Sequence, residues 1–210
     1  MSFYRYNAYP RGRKMKGIET LLLIGIIFTM FTSMINRTIA ASNEVRSETL
    51  RLHIIANSDS EADQNLKIKV RDAVLESTGE LFAEVSGKTE AVAAAEYSAD
   101  DIKAIAEKVV SDEGFDYSVR VEVTEMWFET RSYEGFTLPA GDYDAVRIII
   151  GAGEGKNWWC VMYPALCVPG AEAEIAAKYG ENSGFITGNG YEVRFIIIEW
   201  IEELKRLFYK

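Results

Sequence analysis

LPAGDYDAVRIIIGAGEGKNWWCVMYPALCV, residues 138–168, is the stretch whose reading decides the fold. It opens on Pro139-Ala140-Gly141-Asp142, which has turn chemistry. The residues that follow alternate. Val146, Ile148 and Ile150 fall on one face of a strand over 143–150, and Arg147 falls on the other. Gly151, Gly153 and Gly155 interrupt the pattern, and residues 158–163 resume it. The spacing predicts a β-hairpin closed by a long glycine loop.

Upstream, residues 116–126 also alternate, with Val119, Val121 and Val123 opposite Arg120 and Glu122. Residues 127–130 extend that strand, and 133–138 read as a return strand. Residues 49–56 form a first strand, broken by Asn57-Ser58-Asp59-Ser60. Between these strands lie helices. Ser60 with Asp63 makes a capping box for a helix running to about Ser77, where Gly79 stops it. Residues 90–97 read as a second helix. Ser98 with Asp101 opens a third, with Ile102, Ile105, Ala106, Val109 and Val110 inward. Downstream, 171–179 reads as a short helix, 180–190 as loop and 191–198 as a buried strand. Residues 199–208 read as an amphipathic helix with Trp200, Ile201, Leu204, Leu207 and Phe208 on its apolar face. The segregation of helices and strands implies an α+β fold, a mostly antiparallel sheet with helices packed on one face.

The charge of −9 is unevenly spread. Residues 1–37 hold six basic side chains against Glu19, a net +5, which leaves 17 basic and 31 acidic side chains, −14, for the rest. A body this acidic repels phosphate backbones, so nucleic acid is excluded as a partner. The basic lead precedes an apolar run at 21–31 that extends weakly to Ile35. This is the pattern of a signal peptide, or of a signal anchor reaching into the membrane with its positive side in the cytoplasm. Residues 1–41 are accordingly read as signal peptide or anchor, 42–48 as linker and 49–210 as an extracytoplasmic α+β domain.

Few residues suggest chemistry. His53 is the only histidine, so a histidine-based metal site is excluded. The three spaced glycines lead into WWCVMY, a strand, and so are no dinucleotide fingerprint. Asn57, Asp59, Glu61 and Asp63 resemble a calcium loop, but Ala62 and Ile68 stand where its glycine and bidentate glutamate belong. No catalytic set, metal or cofactor is expected. Cys160 and Cys167 are either a disulfide, as an even count in an exported domain suggests, or two buried thiols. Trp158 and Trp159 point to opposite faces of their strand. Either the terminal helix with Trp200 covers the outer one, or that ring is a contact surface for a partner.

Four segments carry a family resemblance: LRLHIIANSDSEADQNLKIKVRDAVLE (50–76), IKAIAEKVVSDEG (102–114), the 138–168 stretch, and VRFIIIEWIEEL (193–204). The chain resembles the stage II sporulation protein R family of endospore-forming bacteria. The resemblance implies a non-catalytic signal, exported from the forespore into the space between the two sporulation membranes. There it would trigger a membrane-bound aspartic protease, stage II sporulation protein GA, to process the pro-form of the mother-cell sigma factor E. On that reading the expected partner-binding residues are Asn157, Trp158, Trp159 and Tyr163, then Asn57 and Asp59. The competing class is a cell-wall binding or remodelling protein that stacks sugar rings on Trp158, Trp159 and Tyr163. A third is a purely structural extracytoplasmic domain.

Overall fold

A computed structural model describes residues 17–133, 136–164, 199, 200, 204 and 207. The chain divides into two compact units, Met1–Arg37 and Thr38–Lys210.

The first unit is described through its part of helix α1 (Gly17–Ser47). This helix is long and apolar enough to cross a membrane, and its large side chains, from Ile18 to Met34, are exposed. At 1.5 Å per residue, about 20 apolar residues match a hydrocarbon core. Thr29 Oγ1 donates to Ile26 O at 2.8 Å and Thr32 Oγ1 to Phe28 O at 3.0 Å, so neither hydroxyl is left unsatisfied in an apolar setting.

The second unit begins inside α1. Residues 42–48, read from sequence as linker, are mostly the last turn and a half of that helix, and Ser42 and Val45 are buried. Arg46 Nη1 donates to Ala140 O at 3.1 Å. The chain continues as β1 (Leu50–Ile55), α2 (Glu61–Ala83), α3 (Lys88–Tyr97), α4 (Ala99–Asp112), β2 (Val119–Phe128), β3 (Arg131–Tyr133), β4 (Phe136–Leu138), β5 (Gly141–Ile150) and β6 (Asn157–Tyr163). The main sheet has the order β2-β5-β1-β6, and β3 pairs with β4 separately. The α+β class holds, with three helices on one face of the main sheet.

The predicted hairpin over 138–168 does not form. β5 and β6 are both strands, but β1 lies between them, parallel to β5 and antiparallel to β6. The glycine loop steps across the end of β1, about 10 Å between strands two places apart. β1 takes the slot because all six of its residues are buried, as suits a central strand. β5 instead pairs along its whole length with β2, from Val119 opposite Ile150 to Phe128 opposite Gly141.

The helix-side core joins Leu50, Leu52 and Ile54 of β1 and Val146, Ile148 and Ile150 of β5 to Leu66, Val70, Ile102, Ala106 and Val110 of the helices. Ser60 caps α2 as expected, accepting from Asp63 N–H at 3.1 Å. α2 runs through Gly79, however. An interior glycine costs about 1 kcal/mol, and burial of Phe82 one turn later recovers about 2 kcal/mol. Ser98 makes no side-chain cap for α4, because it also ends α3, donating its N–H to Ala94 O, and its φ of −93° and ψ of 6° are not those of an extended cap. The readings over 171–198 lie outside the described residues. Of the predicted terminal helix only Glu199, Trp200, Leu204 and Leu207 are described, and Trp200, Leu204 and Leu207 are exposed.

Candidate functional site

The face of the sheet away from the helices carries the residues of interest. Alternation along β1 sends Arg51 and His53 there, opposite Leu52 and Ile54. Trp159 lies beside His53 in register, as does Arg147 on the other side. The two rings stack, with centroids 4.0 Å apart and planes 8° from parallel. Phe128 meets both edge-on, 4.9 Å from Trp159 and 6.3 Å from His53. Since Phe128 pairs in the sheet with Gly141, far along β5 from Arg147, the end of the β2–β5 ribbon must curl over this face.

His53 is buried, and its Nε2 lies 3.0 Å from Asn157 Oδ1. Burial pushes its pKa down to about 4, Arg147 and Arg51 push the same way, and the Asn157 contact opposes them. The imidazole is therefore neutral at physiological pH. Arg51 is fully buried. Its guanidinium lies 4.0 Å from the Phe128 ring centroid and 5.1 Å from that of Tyr143, and Nη2 donates to Tyr133 Oη at 2.8 Å. Nε and Nη1 have no hydrogen-bond partner among the described residues. Burial lowers its pKa, and Arg131 adds like-charge repulsion.

Above these residues opens a cleft of about 290 Å³ lined by Trp127, Phe128, Glu129, Arg131, Asn157 and Trp159. Asn157 and Trp159, two of the expected partner-binding residues, thus meet in one concavity. Trp158 and Tyr163 do not join them. Trp158 packs on the helix side, where α2 places the Arg71 guanidinium 4.4 Å from its ring centroid, so Trp159 is the outward ring of the pair. Tyr163 is buried in the same core, because a register shift between Leu50 and Arg51 turns the end of β6 over. The three rings expected to stack on sugars therefore do not share a face.

Asn57 and Asp59 adjoin the cleft's Asn157 end through the crossing loop. Asn57 Oδ1 accepts from Ala152 N–H at 3.0 Å, and its Nδ2 donates to Asp63 Oδ2 at 3.0 Å. Asp59 Oδ1 accepts from Lys156 N–H at 2.7 Å. Backbone bonds from Glu154 N–H to Asn57 O and from Gly155 N–H to Ala56 O complete the seam. Burial raises Asp63, but hydrogen bonds from Ser58, Asn57, Tyr117 and Ser60 outweigh it and hold the carboxyl below its usual range. These polar groups thus fasten the loop to the strand end. Gly151 has a φ of +59° and abuts the Asn57 carboxamide, and Gly155 abuts the Ser58 carbonyl.

No group of three metal-ligating side chains occurs among the described residues. Cys160 is buried and is not a free thiol, while Cys167 lies outside the described residues. Sequence reasoning missed Arg51, Trp127, Phe128, Glu129 and Arg131. The one available signal was Arg51, a cation that with His53 interrupts the apolar strand LRLHII.

Together these features define a class: an α+β domain behind a helix long and apolar enough to cross a membrane, with an aromatic cleft, edged by Arg131 and Glu129, on the sheet face opposite the described helices. The chain belongs to the stage II sporulation protein R family, whose family model matches residues 46–173. A relative named stage II sporulation protein R, from Bacillus subtilis (strain 168), is 33% identical over 185 residues, covering 76% of this chain and 83% of the relative. No solved structure matches the chain. Membership gives the protein a role in sporulation.

Proposed function

We propose that the chain is an exported signal of sporulation that activates a membrane-bound aspartic protease by binding its extracytoplasmic part. The protease, of the stage II sporulation protein GA type, then processes the pro-form of sigma factor E. The helix α1 directs the chain to the forespore membrane, and the acidic unit acts in the intermembrane space, released or tethered. The observation that carries the binding reading is the cleft at Trp127, Phe128 and Trp159, an aromatic concavity suited to gripping another chain. Activation requires tighter binding to the active than to the inactive protease, and each tenfold preference is worth about 1.4 kcal/mol. A Cys160–Cys167 bond, formed after export, would brace the end of β6, and masses of unreduced peptides test it. The function itself is tested by co-expressing the chain with the protease and its substrate in a non-sporulating host. Cleavage is expected only when all three are present; cleavage without this chain would remove the proposed role.

A further inference from the structure

We propose that the open-face cleft docks a short segment of the partner protein bearing a carboxylate beside an aromatic side chain. This deepens the proposed function and rests on its reading that the domain acts by binding.

Outside residues 1–37 the chain has 31 acidic side chains and 17 basic ones, so a cation should readily find a carboxylate. On the open face that fails for Arg51 and Arg131. Arg51 is fully buried, its Nε and Nη1 have no partner among the described residues, and the groups around its guanidinium are the neutral Tyr133 and Tyr143 phenols and the like-charged Arg131, none of them a carboxylate. Arg131 lines the cleft, is exposed, and its side chain has no hydrogen bond or ion pair among the described residues. Arg147 is matched by Glu122 at 3.0 Å. Glu129 is the one carboxylate among the cleft's described lining residues. Among the described residues the face therefore sets Arg51, Arg120, Arg131 and Arg147 against Glu122 and Glu129, a local positive excess in an acidic body. A buried cation without a counter-charge is costly, and an incoming carboxylate at Arg131 would relieve it.

The shape agrees. Trp127, Phe128 and Trp159 present ring surfaces, and about 290 Å³ lies at the small end of ligand cavities. It admits an aromatic side chain with its neighbour. Asn157, whose Oδ1 is engaged by His53, has its amide N–H groups available to a peptide carbonyl at the rim.

The test uses the full chain in detergent micelles, with tryptophan and arginine side chains labelled for NMR. The probes are N-acetyl-Asp-Phe-amide, its Asn and Lys counterparts, and inorganic phosphate. The Asp dipeptide is expected to give saturable shifts at the indole N–H groups of Trp127 and Trp159 and at Arg131 Nε–H. The Asn dipeptide should bind roughly tenfold more weakly, as loss of a charge-assisted hydrogen bond predicts. The Lys dipeptide and phosphate should give no saturable shift. Arg131→Gln, an exposed change, should erase the Asp-over-Asn preference, and Arg131→Lys should keep part of it. Equal binding of the Asp and Asn dipeptides, phosphate binding as well as the Asp dipeptide, or an undiminished preference in Arg131→Gln would each overturn the proposal. The co-expression assay separates this from the function itself. If the wild-type chain drives cleavage and Arg131→Gln drives it equally, the cleft proposal falls and the signalling reading stands. If the wild-type chain drives none, the signalling reading falls, and the titration still decides the cleft.

Discussion

His53 shows how a single side chain acquires its properties from its neighbours. Stacked on Trp159 and walled by Phe128, it stays neutral down to about pH 4, whereas the unfolded imidazole protonates near 6.5. As pH falls through that window the unfolded chain gains a proton that the folded chain does not, so stability falls. The contribution is fully present above about 6.5 and lost as pH falls to about 4, amounting to at most about 3 kcal/mol. Carboxylates titrate in part of the same range, so the informative quantity is the difference between wild type and His53→Gln in urea denaturation across pH. The wild type should lose more stability between pH 6.5 and 4.5. Arg51 yields a second prediction. Arg51→Met replaces an under-satisfied buried cation by an apolar chain of similar length, and the unfolding free energy from urea denaturation should hold within ~1 kcal/mol or rise. Both residues sit where alternation places them. What the alternation does not reveal is that this face is covered, because the cover comes from Phe128, some 75 residues away along the chain.

At the scale of elements, residues 138–168 were legible as two strands around a glycine loop, but not as non-neighbours. Periodicity gives a strand its faces and says nothing of which strand lies beside it. The insertion of β1 between β5 and β6 is decided by pairing across roughly 90 residues of chain. The glycines at the crossing are where the two segments nearly touch. A Cβ at Gly155 would strike the Ser58 carbonyl, which is backbone and cannot swing aside. Gly155→Ala should therefore cost about 1–3 kcal/mol in equilibrium unfolding. Gly79, inside α2, has nothing within 4 Å of a built Cβ. Gly79→Ala should stabilise by up to about 1 kcal/mol, and an unchanged or lower midpoint would contradict its placement inside a continuous helix. Gly79 also shows why the end of α2 was misread: a helix breaker is overridden when a buried residue such as Phe82 follows it.

At the scale of the whole molecule, the basic lead, apolar helix and acidic domain were legible from composition alone, while the sporulation role came from family likeness. The cleft was half legible. Asn157 and Trp159 stand in the conspicuous stretch, but the walls from Trp127 to Arg131 arrive only through the curl of the β2–β5 ribbon. If α1 directs export, charges at its centre should block it. Ile24→Lys with Ile27→Lys adds about 2.5–3.5 kcal/mol per residue to insertion, and the domain should then resist protease added outside spheroplasts. The central claim is activation of a protease through the open face. Its most direct measurement is the rate of pro-sigma-factor cleavage in the co-expression host, with wild type, Trp159→Ala or no chain supplied, and with the fold of the variant checked by circular dichroism. Cleavage is expected with wild type, its loss with folded Trp159→Ala, and none without the chain. Cleavage by Trp159→Ala at the wild-type rate would contradict it.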